Sequence, residues 1–160
     1  MSPLAARDPN ERDEEVQSTQ AGEVGPVLAE IDHVGVAVRD LATALDSYRE
    51  AYDVLVEQRE VDPEDGVEEA LLRVGGRWVR LMAPHRDDSP LVAWLDEHGE
   101  GLHHVGYRVA DCAATLAHLR AQGHEALDPF PRPGLRGPVV ARVRDRHGTL
   151  VELVEDVPSF

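Results

Sequence analysis

The chain says almost the same thing twice. Residues Ile31-Asp32-His33-Val34-Gly35-Val36-Ala37-Val38 are echoed in Gly101-Leu102-His103-His104-Val105-Gly106-Tyr107-Arg108-Val109. A shift of 71 residues lays His33 on His104, Val34 on Val105, Gly35 on Gly106 and Val38 on Val109. It also lays Asp40 on Asp111, Ala42 on Ala113, Leu45 on Leu116 and Arg49 on Arg120. With one further residue of slip, Gly76-Arg77-Trp78-Val79-Arg80-Leu81 falls on Gly148-Thr149-Leu150-Val151-Glu152-Leu153. A repeat constrains the fold before any local pattern does, and two copies specify a duplicated unit, not a solenoid.

Each copy reads βαβββ. Ile31–Val38 alternates as a strand does, with Val34, Val36 and Val38 on one face and His33, Gly35 and Ala37 on the other. Asp40 is placed to cap a helix whose apolar positions are Leu41, Ala44, Leu45, Tyr48 and Tyr52. A strand near Val54–Val61 follows, then the turn Asp62-Pro63-Glu64-Asp65-Gly66 and the hairpin Val67–Val74 and Trp78–Met82 around Gly75-Gly76. The second copy predicts a strand Leu102–Val109, a helix from the cap Asp111 to Gly123, a strand near Ala126, and strands Val139–Val143 and Thr149–Val154. Between the copies, Ser89-Pro90 opens a connecting helix over 89–98 that Gly99 ends. The Pro- and Gly-rich stretch Asp128–Gly137 reads as a long loop edging a pocket. The expected fold class is therefore α+β: one domain over 29–160, with modules at about 29–84 and 101–155. Residues 1–28, acidic and without periodicity, read as a disordered extension.

Charge and composition narrow the partners. A formal net charge of −15 argues against nucleic acid and anionic membrane surfaces, while leaving an anionic small molecule to local Arg residues. The chain has no Lys, which excludes Schiff-base chemistry. The lone Cys112 sits on an apolar helix face and reads as a packing residue. No apolar run approaches the ~20 residues that span a bilayer, and no signal-peptide core is present, so a cytoplasmic protein is expected.

Alternation then places the chemistry. With the Val face beneath the helix, His33 and His104 point into the opposite, concave side. Val79 and Leu81, like Val151 and Leu153, read as core, which turns Arg80 and Glu152 into the same concavity. If a pseudo-twofold relates the copies, His33, Arg80, His104 and Glu152 converge, and two imidazoles with a carboxylate are good ligands for a divalent metal. A single strand histidine is usually a satisfied polar group; two at equivalent positions argue for function. His103, one residue off, is expected to face away as a partly buried structural residue. His147 reads as a surface turn residue.

These modules, with His on the first strand and Glu on the last, resemble the vicinal oxygen chelate superfamily, and within it the methylmalonyl-CoA epimerases. The resemblance rests on Ile31–Val38, Leu81-Met82-Ala83-Pro84, Asp88-Ser89-Pro90, Gly99-Glu100-Gly101-Leu102-His103-His104-Val105 and Leu150-Val151-Glu152-Leu153. It implies a cupped, partly open β-barrel, a homodimer, and an anionic or carbonyl-containing substrate such as an acyl-CoA. The implied reaction is epimerisation: a proton leaves the carbon beside a thioester carbonyl and returns on the other face. It also implies a divalent metal (cobalt, manganese, zinc or iron) on His33, His104 and Glu152. Arg80 stands where the family has a fourth ligand, and a guanidinium has no lone pair to give; it is instead a candidate electrophile for an enolate. Glu152 matches one carboxylate that the family uses, and Glu69 is the candidate for the other; Glu68 and Glu69 must face opposite ways, so only one serves. The loop Arg144-Asp145-Arg146-His147-Gly148 departs from the epimerase pattern. Alternatives in the same cavity are a metal-free tailoring isomerase or cyclase, a small-molecule-binding resistance protein, and a two-His, one-carboxylate iron site.

Overall fold

A computed structural model describes residues 27–134 and 137–156. The acidic extension expected over 1–28 lies outside the described residues, apart from residues 27 and 28. In chain order the elements are β1 (Glu30–Ala37), α1 (Leu41–Tyr52), β2 (Val56–Asp62), β3 (Val67–Val74), β4 (Arg77–Pro84) and α2 (Pro90–His98). There follow β5 (Gly101–Arg108), α3 (Cys112–Ala121), β6 (Glu125–Ala126), β7 (Arg132–Pro133), β8 (Val139–Arg144) and β9 (Leu150–Glu155).

The helices begin where short polar side chains can take an orphan N–H. Asp40 accepts from the Thr43 N–H at 2.8 Å and Asp111 from the Ala114 N–H at 2.9 Å, each from an extended backbone. Ser89 caps α2 with Pro90 in its first turn. None of the described helices is long and apolar enough to cross a membrane.

One unclosed sheet joins both modules in the order β2-β3-β4-β1-β5-β9-β8-β6, with β7 against β8. Each module pairs its first and last strands in parallel, β1 with β4 and β5 with β9. At the centre β1 runs antiparallel to β5, so the repeat becomes a pseudo-twofold between these strands. On the outer face, Val38, Leu41, Leu45, Ala70, Leu72 and Leu81 form the core beneath α1. Val109, Cys112, Leu116, Ala141, Val143 and Leu153 form its counterpart beneath α3. Leu81 and Leu153, equivalent in the repeat, are both wholly buried. Cys112 is buried too, and burial pushes its thiol up to about 11, which suits a packing role.

Two expectations are corrected. The stretch 128–137 is not all loop: Arg132–Pro133 forms β7 on β8. His103 does not face away from His104. On β5 the partners of Gly35 and Val36 are His104 and Leu102, which leaves His103 as an extra residue in a bulge. A bulge breaks the two-residue period, so neighbouring side chains can share a face. The mirror bulge on β1 is at Asp32, between the pairs Ile31–Tyr107 and His33–Gly106. Asp32 and His103 are themselves repeat equivalents.

Candidate functional site

The central pairing builds the site from two crossed rows. His33 lies opposite Gly106, and Gly106 lies beside Glu152; His104 lies opposite Gly35, and Gly35 lies beside Arg80. Each imidazole is laid over the glycine of the other module. A Cβ built on Gly106 would stand 2.1 Å from His33 Cε1, and one on Gly35 would stand 2.1 Å from His104 Cε1. The His-x-Gly spacing is thus a seat-and-ring device in which each half supplies the space for the other's histidine.

The rings meet at His33 Nε2 and His104 Nε2, 2.9 Å apart. Glu152 Oε1 is 3.6 Å from His33 Nε2. Behind His33, Asp32 lies 2.7 Å from Nδ1; its carboxylate can only accept, so His33 donates from Nδ1 and turns Nε2 to the centre. Behind His104, His103 shares a 2.9 Å hydrogen bond between the two Nδ1 atoms. The bulges therefore place one orienting partner behind each central imidazole.

Arg80 completes the centre. Its Nη1 donates to Glu152 Oε1 at 3.2 Å, and its Nε stands 3.8 Å from Glu69 Oε2. This Nε–H is buried and has no hydrogen-bond acceptor among the described residues. Burial alone would lift the Glu152 carboxyl, but the Arg80 guanidinium, with His104 and His33, outweighs it and holds the group near about 2. Asp32 is held at about 2 against its own burial by His33 and Arg108. Burial pushes His104 down to about 3; burial, with Arg142 nearby, pushes His103 down to about 4.

These shifts share one sign. The unfolded chain binds protons at His104 below about 6.5, whereas the folded site resists them until about 3. Stability is complete above pH 6.5 and is lost as pH falls toward the folded values. Metal-stripped protein should therefore lose roughly 2 kcal/mol through His104 alone between pH 7 and pH 5. Asp32 and Glu152 add their loss below about pH 4. Urea melts across this range check it; a midpoint that does not move between pH 7 and pH 5 contradicts it.

The sequence-derived residues come together. His33, His104 and Glu152 are all buried, and their ligand atoms lie within 4.8 Å of one another. With Asp32 orienting His33, this donor set fits a divalent ion held by three protein ligands. Glu69 faces the cavity, while Glu68 faces out toward Arg59 and His85. His147 stands exposed in its turn. Sequence reasoning missed Asp32, whose bulge no periodicity shows, and Glu64, Arg132 and Arg142, which line the same cavity. The cavity is about 720 Å³, large enough for a substantial ligand.

Residues 32–141 match the Glyoxalase/Bleomycin resistance protein/Dioxygenase superfamily. The mitochondrial methylmalonyl-CoA epimerase of Mus musculus is 32% identical over 140 residues, 84% of this chain and 79% of that protein. Methylmalonyl-CoA epimerase from Mycobacterium tuberculosis superposes with a TM-score of 0.77 at 31% identity, covering 86% of this chain and 94% of that one. A Streptomyces coelicolor methylmalonyl-CoA epimerase variant in complex with 2-nitronate-propionyl-CoA gives 0.76 at 37% identity, covering 81% and 96%. Sheet order, site geometry and these likenesses agree: the chain belongs to the glyoxalase/bleomycin resistance/dioxygenase (vicinal oxygen chelate) superfamily, among its methylmalonyl-CoA epimerase-like isomerases.

Proposed function

We propose that the protein epimerises an acyl-CoA at the carbon between its thioester and a second carbonyl group, with methylmalonyl-CoA the first substrate to test. The observation that carries this reading is the part-buried Arg80 guanidinium, held between Glu69 and Glu152 with a buried Nε–H to spare. Removing a proton beside a thioester puts negative charge on the carbonyl oxygen, and a fixed cation there lowers the barrier. Epimerisation by two bases also needs a proton-transferring group on each face of the carbon, a role that carboxyl groups can fill. Glu69 on β3 and Glu152 on β9 stand on opposite sides of the central strands.

In the resting site Arg80 makes Glu152 a weak base. A thioester oxygen that draws the guanidinium to itself returns basicity to that carboxylate. One carboxylate then takes the α-proton, Arg80 neutralises the enolate oxygen, and the other carboxyl, entering protonated, returns a proton to the opposite face. The two groups end with their protonation states exchanged, ready for the reverse reaction. A divalent ion held by His33, His104 and Glu152 would supply Lewis-acid stabilisation of the same oxygen when bound. The homodimer implied by the family is part of this reading, and light scattering in solution tests it.

The decisive measurement follows deuterium uptake at C2 of methylmalonyl-CoA in D2O by proton NMR, against the uncatalysed exchange. We expect uptake with loss of configuration, and a fall of roughly 10²–10⁴-fold in Glu69→Gln. No uptake above background rejects the substrate. Glu64, in the turn between β2 and β3, also lines the cavity; a larger loss in Glu64→Gln than in Glu69→Gln would move the first base to that turn.

A further inference from the structure

Five of the cavity-lining residues are arginines, in a chain of net charge −15. Three are committed elsewhere: Arg80 to the centre, Arg108 to Glu30, Asp32 and Asp156, and Arg144 to Glu125. Arg132 and Arg142 are different. They stand on neighbouring strands, with Arg132 paired to Val140, two residues from Arg142. Both hold Asp128, a buried carboxylate that accepts from the Arg142 backbone N–H at 2.8 Å and from its guanidinium at 3.3 Å. Arg132 Nε is 3.6 Å from Asp128 and has no hydrogen-bond acceptor among the described residues.

The second carboxylate facing this pair is held loosely. Asp65 comes from the other module, and its Oδ2 is 3.7 Å from Arg132 Nη2 and 3.8 Å from Arg142 Nη1, beyond hydrogen-bond distance. The Asp65 backbone is pinned: Ser89 Oγ donates to its carbonyl at 2.8 Å, and its N–H donates to Asp62 Oδ1. Releasing the arginines therefore needs only a side-chain rotation. Asp128 is the one carboxylate firmly bonded to the pair; Asp65 faces both cations from beyond hydrogen-bond distance, and Glu152 acts on Arg142 from the next strand.

We propose that Arg132 and Arg142 form an anion subsite for the substrate, a carboxylate or phosphate group, and that Asp65 is its placeholder, displaced on binding. Arg142 is the cross-strand partner of Glu152. An anionic group on or near the reacting carbon would thus lie one strand from the carboxylate that handles the proton. The inference rests on the proposed acyl-CoA substrate and names the residues that would select it.

Isothermal titration of two probes separates the sources of charge: methylmalonyl-pantetheine carries a carboxylate without phosphates, and coenzyme A carries phosphates without that carboxylate. Removing the placeholder in Asp65→Asn should tighten the responding probe about tenfold, a gain that misfolding cannot produce. Arg132→Gln should weaken the same probe by about as much. A response confined to methylmalonyl-pantetheine assigns the subsite to the acyl carboxylate; one confined to coenzyme A assigns it to phosphate. If the wild type binds both and neither variant changes either affinity, the subsite is overturned. Affinities that shift as expected in a protein that exchanges no deuterium keep the subsite and reject the epimerase reading. Failure of the wild type to bind either probe overturns both.

Discussion

Gly106→Ala should abolish the site while leaving the sheet standing. The added methyl carbon would meet His33 at 2.1 Å from Cε1, 2.3 Å from Nδ1 and 2.6 Å from Nε2, so the ring must leave its seat. His33 is 1% exposed and bonded to Asp32, which leaves little room for a second position. Overpacking of this kind costs about 1–3 kcal/mol. A displaced imidazole also removes a member of the central triad, and misplacement by about an ångström can cost on the order of 100-fold in rate. Gly35→Ala should do the same to His104. Because the two rings touch, the double variant should lose less than the sum of the single losses. Thermal melts, deuterium exchange and cobalt titration measure the three consequences. A Gly106→Ala protein with full exchange activity would show that the ring-on-glycine seat is not needed.

Arg80→Gln carries the other large effect, and it separates two roles. Losing the guanidinium leaves Glu69 and Glu152 in a buried site without the cation between them, so the Glu152 carboxyl should rise from about 2. If Arg80 stabilises the enolate, metal-stripped Arg80→Gln should lose roughly 10²–10³ in kcat. Arg80→Lys should recover only part of it, since an ammonium lacks the planar fork. The same substitution takes a positive charge away from His33, His104 and Glu152 and offers a carboxamide oxygen. Cobalt, followed by its visible absorption, should then bind at least about tenfold more tightly than in the wild type. Unchanged activity in stripped Arg80→Gln would end the role of Arg80 as electrophile. Unchanged cobalt affinity would show that the guanidinium does not oppose the ion.

Much of this was legible because the repeat and the strand period are properties of the chain alone. Asp40, Ser89 and Asp111 announce their helices by local hydrogen bonding, which needs no tertiary partner. Alternation put Val79, Leu81, Val151 and Leu153 in the core, and so put Arg80 and Glu152 on the concave face. It failed at His103, where the pattern predicted the opposite face. A bulge is decided by how two strands match each other, and its extra residue carries no mark in the sequence.

The question between Glu68 and Glu69 shows the same division. Period two says that one of them faces the cavity; the pairing of β3 against β4, with Glu69 opposite Met82 and Leu71 opposite Arg80, says which. Arg132, Arg142 and Asp65 had no legible link at all, because β7 and the turn between β2 and β3 belong to different modules. The sequence by itself determined a duplicated βαβββ unit, its caps and cores, and a convergent His, His, Glu and Arg set, since these follow from periodicity and from one symmetry. Only the tertiary structure decided that each histidine rests on the other module's glycine, that Asp32 and His103 turn inward behind them, and that Asp65 reaches across to two arginines. Those contacts join residues far apart in the chain, and their geometry comes from the antiparallel register of β1 on β5, which no local pattern encodes.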